Sequence, residues 1–85
     1  MSEEFTSALL RAQTMQRNYT HEVNVFTITV KYDSYYDEYM EIVVQADTGR
    51  WFLSTMQCIY EEDYEGKLDG LEMILNRLKE KNDEQ

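Results

Sequence analysis

The sequence predicts an α+β domain built in the order helix, three-stranded antiparallel meander, helix (αβββα). Apolar residues recur at helical spacing near the N-terminus and again from residue 64. Between them, residues 22–60 are rich in β-branched and aromatic residues, and two polar turns, 33–38 and 47–49, divide this stretch into three strands. With 85 residues, three glycines and no proline, the chain is expected to form a single domain spanning residues 1–85.

The first helix is predicted from Ser2 to about Arg17. Ser2 is a suitable N-cap, and Glu3 and Glu4 suit the positive end of the helix dipole. A narrow apolar stripe follows, made of Phe5, Ala8, Leu9, Ala12 and Tyr19.

The first two strands should each present one apolar face to the helices. These faces are Phe26, Ile28, Val30 and Tyr32 on the first strand, and Met40, Ile42, Val44 and Ala46 on the second. Asp47-Thr48-Gly49 indicates a three-residue hairpin loop, with Gly49 in the left-handed conformation.

A hairpin loop of that length sets the register of the third strand. It predicts that Ala46 faces Arg50, and the same offset places Phe52 opposite Val44 and Met56 opposite Met40. Cys58 then falls on the helix-covered side, where a free cysteine packs as a small apolar residue.

The last helix is predicted from about Tyr64 to Lys81, with basic residues near its C-terminal end. Its apolar seam consists of Tyr64, Leu68, Leu71, Leu75 and Leu78.

Acidic residues are concentrated in the middle of the chain. The net charge is -9, and the interval from Asp33 to Glu65 holds nine acids with Arg50 as its only base. Such a field repels nucleic acids and anionic membranes and favours a basic partner, and the interleaved tyrosines are typical of binding surfaces. The predicted partner-binding residues are Asp33, Tyr35, Tyr36, Asp37, Glu38, Glu41, Glu61, Glu62, Asp63 and Glu65. The alternative interpretation is that these charges serve only to keep the protein soluble.

A second candidate interface is the face of the sheet away from the helices. In the predicted register this face is partly apolar and carries Tyr39, Val43, Trp51 and Leu53. It would join a second copy or a partner, unless the N-terminal arm or a helix covers it.

Catalytic and cofactor chemistry finds little support in the sequence. The chain has one histidine and one cysteine, and it lacks a glycine-rich phosphate loop, so neither enzyme activity nor a cofactor or metal site is expected. The N-terminus lacks the features of a signal peptide, and the single cysteine suits a reducing compartment, so the expected location is the cytoplasm.

One spacing matches a calcium-binding EF-hand loop, although two of its acids are longer than that loop prefers. The matching residues are Glu61, Asp63, Glu65, Gly66, Asp69 and Glu72. A calcium-binding module is therefore a third hypothesis. The competing interpretation is an acidic helix N-terminus.

The αβββα order also occurs in double-stranded RNA-binding domains, but those domains depend on basic residues against phosphates, and this chain has almost none where they would be needed. In length, acidity and element order, the chain resembles small phage-encoded inhibitors, including some anti-CRISPR proteins, that place carboxylates where a host protein expects phosphates. This resemblance lies in architecture and includes no shared motif. It implies a cytoplasmic, non-enzymatic inhibitor that mimics DNA and occupies the basic, nucleic-acid-binding surface of a partner protein. The alternative is a structural or assembly subunit that forms a homodimer through its outer sheet face.

Overall fold

A computed structural model of the chain describes residues 3–34 and 37–83. Its elements are helix α1 (Glu3–Asn18), strands β1 (Val25–Asp33), β2 (Asp37–Asp47) and β3 (Phe52–Ile59), a short 3-10 turn (Glu61–Asp63) and helix α2 (Tyr64–Asp83). The strands form one antiparallel sheet in the order β1-β2-β3, with both helices packed on one face. The predicted αβββα fold is confirmed.

The two helices lie side by side and run in the same direction. The ring of Phe5 meets that of Tyr64 edge-on, with centroids 5.9 Å apart. Further along both helices, Arg11 pairs with Asp69, and the Tyr19 hydroxyl donates a hydrogen bond to the side-chain oxygen of Asn76. Both helix N-termini therefore lie at the same end of the molecule.

The inner face of the sheet is the apolar face predicted for β1 and β2. Phe26 pairs with Val44, and Ile28 with Ile42. Val44 and Ile42 are buried against the helices, because period-two alternation directs their side chains to the same side. Tyr32 lies on this face too, but it is 74% exposed near the end of the edge strand.

The predicted register of β3 is wrong by three residues. Ala46 pairs with Leu53 and Met40 with Ile59, so the β2–β3 loop is one residue longer than the predicted one and runs through residues 48–51. Thr48 Oγ1 accepts a hydrogen bond from the Trp51 N–H (3.1 Å), and the Thr48 N–H donates to the Trp51 carbonyl (3.1 Å).

This odd shift exchanges the two faces of β3. Leu53 and Ile59 pack against the core, whereas Phe52, Met56 and Cys58 lie on the outer face. The prediction that Cys58 is a core residue is therefore wrong, and its side chain is half-buried beside Glu41. Both faces of β3 contain large apolar residues, so the alternation of the sequence did not select between them.

Glycine substitutions in the loop and in α2 should have opposite effects on stability. Gly49 adopts a φ of +83°, so Gly49→Ala is expected to lower the free energy of unfolding by about 1 kcal/mol. Gly70 lies inside α2 with open space around its Cα, so Gly70→Ala should raise it by about 0.5–1 kcal/mol. Urea unfolding of the two variants measures both signs, and a stabilising Gly49→Ala would contradict the loop conformation.

The buried hydroxyl of Tyr19 should make the fold sensitive to alkaline pH. Burial raises the pKa of Tyr19, and the carboxylates of Glu72 and Glu22 raise it further. The folded state then holds this proton more tightly than the unfolded state, whose tyrosine pKa is about 10. The resulting stabilisation is complete below about pH 10 and is lost as the pH rises through the folded-state pKa.

Tyr19→Phe removes this titration together with the hydrogen bond to Asn76. We expect the variant to be less stable at about pH 8, by about 1 kcal/mol, but to lose less stability than the wild type between about pH 9 and pH 11. Urea midpoints measured across this range test the prediction. An equally steep alkaline decline in both proteins would show that other groups cause it.

Candidate functional site

The two acid-rich segments of the chain lie at the same end of the sheet. Because β2 begins where β3 ends, Met40 pairs with Ile59, and the rings of Tyr39 and Tyr60 stack with centroids 4.8 Å apart. The β1–β2 connection and the 3-10 turn therefore flank this tyrosine pair. The shared location depends only on strand direction, so it survives the error in the predicted register.

Acids at the start of α1 lie at the same end of the molecule as the two acid-rich segments. Since α1 and α2 are parallel, Glu3 and Glu4 face Glu62 and Glu65 across an open cleft of about 900 Å³, with Arg11 in its wall. We call this region, with the nearby carboxylates of the sheet, the acidic end. Among the described side chains it comprises Glu3, Glu4, Asp33, Glu38, Glu62, Asp63 and Glu65.

The helix N-termini and the 3-10 turn explain the positions of the acids at the acidic end. Glu3 and Glu4 occupy the first turn of α1, and Glu65 occupies the first turn of α2, where the helix dipole favours negative charge. Glu62 and Asp63 belong to the 3-10 turn that leads into α2, and both are exposed. Each helix therefore stabilises the carboxylates at its own start.

The sequence-predicted residues are not equally available to a partner. Glu62, Asp63 and Glu65 are exposed, whereas Asp33 and Glu38 are half-buried at the two ends of the β1–β2 connection. Tyr35 and Tyr36 lie outside the described residues, as do the side chains of Asp37 and Glu61.

Asp63 pairs with Lys67 at 3.7 Å, and Glu41 also pairs with a lysine. Glu41 lies on the outer face of β2, where its Oε2 accepts a hydrogen bond from Lys31 Nζ at 3.1 Å. This hydrogen bond, and the attraction between the two charges, raise the pKa of Lys31. Glu41 therefore contributes less negative field to the acidic end than its position suggests.

Basic residues mark the opposite end of the molecule. Lys81, in the last turn of α2, places its Nζ 3.7 Å from the ring centroid of Trp51. Arg17 lies in the last turn of α1, and Arg50 is exposed in the β2–β3 loop. With extents of 44 × 18 × 18 Å, the molecule is elongated and carries unlike charge distributions at its two ends.

Comparisons with known proteins leave the family open. No family model, no curated protein and no solved structure matches the chain.

The register of β3 places the residues predicted for the second interface on different surfaces. Tyr39 and Val43 lie on the outer face, as predicted, but Leu53 packs toward the core and Trp51 contacts Lys81 at the end of α2. Two other residues of β3 take their place on this face: Met56, which is directly opposite Val43 and 64% exposed, and Phe52, which is opposite Asp47 and 77% exposed. The outer face is thus partly apolar, and its apolar residues differ from the predicted ones.

The segment with EF-hand spacing does not form a loop. Residues 64–72 belong to α2, and Asp69 and Glu72 both pair with Arg11, at 2.5 Å and 3.1 Å. Within residues 3–34 and 37–83, no cluster of three or more metal-ligating side chains is present. The acids at the start of this segment act instead at a helix N-terminus, the competing interpretation of the sequence.

Neither of the two described helices combines the length and the hydropathy that crossing a bilayer requires.

Proposed function

We propose that this protein is a small, non-enzymatic, cytoplasmic inhibitor that occupies the basic, nucleic-acid-binding surface of another protein. One observation carries the proposal. Carboxylates from three separate parts of the chain, namely the start of α1, the β1–β2 connection and the start of α2, converge on one end of the molecule. Such an arrangement offers several negative charges to one basic surface at once.

The elements that carry these acids are suited to hold them at fixed spacings. Glu3 and Glu4 project from one helix and Glu65 from a second, and the two helices share a core centred on residues such as Phe5 and Leu68. A partner that binds phosphates through lysine and arginine recognises a row of anions, and carboxylates held on rigid elements satisfy the same donors with little loss of conformational entropy.

Tyrosines at the acidic end support recognition of a protein surface. The stacked pair Tyr39 and Tyr60 lies between the acid segments, and Tyr32 is exposed beside them. Tyrosine contributes a large contact area and a hydroxyl to protein interfaces. The net charge of -9 adds long-range attraction to a basic partner and repulsion from nucleic acid itself.

The charge-based part of this proposal can be tested with a defined probe, an oligolysine peptide, added to isotope-labelled protein. We expect amide resonances of residues 3–4, 33–39 and 60–65 to shift, while those around Arg17, Arg50 and Lys81 stay in place. Raising the salt concentration from about 0.1 M to about 1 M shortens the Debye length from about 10 Å to about 3 Å and should abolish the shifts. Shifts spread over the whole surface would contradict a localised site.

The second candidate function is a self-associating structural or assembly subunit. The exposed Phe52 and Met56 favour it, since both lie on the outer face, Met56 directly opposite Val43, and large apolar side chains left in water on one face are typical of interaction surfaces. The molecular mass in solution of the wild type and of Val43→Lys separates the two functions. A dimer that Val43→Lys dissociates, combined with no binding to basic proteins, would favour the structural role.

A further inference from the structure

The edge strand β3 lacks the features that normally prevent pairing with another strand. It pairs with β2 on one side, and its eight residues, from Phe52 to Ile59, include no charged residue and no proline. Natural edge strands usually carry a lysine, a proline or a bulge, because unpaired backbone groups template the addition of a further strand. One side-chain hydrogen bond, from Lys67 to the Cys58 carbonyl oxygen, lies on this edge, and an added strand would have to replace it.

The other edge of the sheet is better protected. Strand β1 contains Lys31 and Asp33, and Gln16 of α1 donates a hydrogen bond to the Phe26 carbonyl oxygen (2.7 Å). The charges on β1 disfavour a second strand at that edge, whereas a side-chain hydrogen bond to the backbone is present on both edges. The sheet is therefore expected to extend at β3 only, which gives a closed pair of molecules rather than a filament.

We propose that two copies of this chain associate through antiparallel pairing of their β3 strands, forming a continuous six-stranded sheet. Charge complementarity identifies a second copy as the occupant. Arg50 precedes β3 and Glu62 follows it, both are exposed, and they lie equally far in sequence from Met56. Antiparallel pairing about a two-fold axis at Met56 places the loop that carries Arg50 in each copy at the same end of the paired strands as the 3-10 turn that carries Glu62 in the other.

The same geometry covers exposed apolar surface. In a two-fold antiparallel pair, directly opposite residues lie on the same face of the sheet. Met56 then meets its own copy, and Phe52 meets Tyr60 of the second copy, so the two most exposed apolar side chains of β3 gain partners. Pairing requires the incoming strand to take over the Cys58 carbonyl oxygen from Lys67 Nζ, which donates to it at 2.7 Å from a partly exposed side chain.

This inference stands apart from the inhibitor proposal. Helix α1 packs on β1 and β2, so Glu3, Glu4 and Asp33 lie away from the pairing edge and remain accessible in the pair, whereas Glu62 belongs to both surfaces. A monomer that binds a basic protein would refute the inference alone. A dimer without such binding would refute the proposed function alone.

Light scattering and sedimentation of the full chain over a range of concentrations measure the association. We expect a concentration-dependent rise toward twice the chain mass of 10.2 kDa. Met56→Lys places a charge on the axis of the pair and should weaken dimerisation at least about tenfold. Met73→Lys is the matched control, because Met73 is a similarly exposed methionine (59%) on α2, away from the edge, and it should leave the dimer unchanged.

A charge exchange tests the antiparallel direction. Arg50→Glu and Glu62→Arg should each weaken the dimer about tenfold, since each creates two symmetric like-charge contacts, and the double variant should restore it. Arg77→Glu, the same change at an exposed position of α2, should have no effect.

Three results would overturn the inference: a monomer at every concentration, a dimer indifferent to Met56→Lys, or a dimer that Val43→Lys disrupts. The last would place the contact on the outer face, because Val43 belongs to the central strand and not to the edge. Circular dichroism of each variant establishes that its fold is retained.

Discussion

Replacing Glu3, Glu4, Glu62 and Glu65 together by glutamine is expected to weaken binding to a basic partner about a hundredfold. These four exposed glutamates line the cleft between the starts of α1 and α2. Each exposed ion pair contributes up to about 1 kcal/mol, so the loss of four removes about 3 kcal/mol at moderate salt. Glutamine keeps the shape of each side chain, so the change acts through charge alone. Titration calorimetry against the partner measures the loss.

The location of the carboxylates, rather than the net charge of the protein, should determine its affinity for the basic partner. Helix α2 offers a control, because it carries acids at both of its ends. The pair Glu62→Gln and Glu65→Gln removes two negative charges at the start of the helix. The pair Glu80→Gln and Asp83→Asn removes two at its end, where both residues are also exposed. We expect the first pair to weaken binding about tenfold and the second to change it less than about twofold. Equal effects would mean that only the net charge matters.

Replacing Leu71 by alanine is expected to lower the free energy of unfolding by about 2–5 kcal/mol. Leu71 is fully buried in the middle of α2 and belongs to the cluster that joins both helices to the sheet. Truncation removes buried apolar area and leaves a cavity that the surrounding side chains fill only in part. Since a domain of this size has a small core, such a loss is a large part of its total stability. Urea unfolding followed by circular dichroism measures it.

Met73→Ala is the control for this substitution. Met73 lies two residues further along the same helix and is mostly exposed, so its truncation should change the free energy of unfolding by no more than about 0.5 kcal/mol. Similar losses for Leu71→Ala and Met73→Ala would contradict the orientation of α2, in which Leu71 faces the core and Met73 faces solvent. A small loss for both would indicate that α2 does not pack on the sheet.

Local patterns in the sequence predicted most of the fold. The leucines of α2, from Leu68 to Leu78, recur at a spacing that only a helix places on one face, and all of them are buried. The even-numbered residues of β2, from Met40 to Ala46, alternate with polar or less buried neighbours, so their face was determined by local sequence alone. Each of these predictions depends on a single element with one strongly apolar side.

The register of β3 required information that its pattern does not contain. Phe52 and Met56 on one side compete with Leu53 and Ile59 on the other, so the sequence permits either face to turn inward. A difference of one residue in the length of the β2–β3 loop selects between them. Trp51 and Leu53 were consequently assigned to the wrong surface.

The location of Glu3 and Glu4 at the acidic end was not predicted, for a related reason. Their preference for a helix N-terminus was evident, but their proximity to Glu62 and Glu65 follows from the parallel packing of α1 and α2. No local signal encodes that direction. One clue was available in the sequence, since both helices begin with acids. An odd number of antiparallel strands between the two helices makes the second helix run parallel to the first.

The most direct test of the central claim is displacement of nucleic acid from a protein that the chain captures. Proteins retained from the source cell by the wild type, and not by the variant with glutamine at positions 3, 4, 62 and 65, are purified and bound to a fluorescent nucleic acid. Adding the wild-type chain should release the nucleic acid in proportion to its occupancy of the captured protein, and the glutamine variant should release little. Formation of a ternary complex, with the nucleic acid still bound, would contradict the claim that the acidic end occupies the nucleic-acid-binding surface.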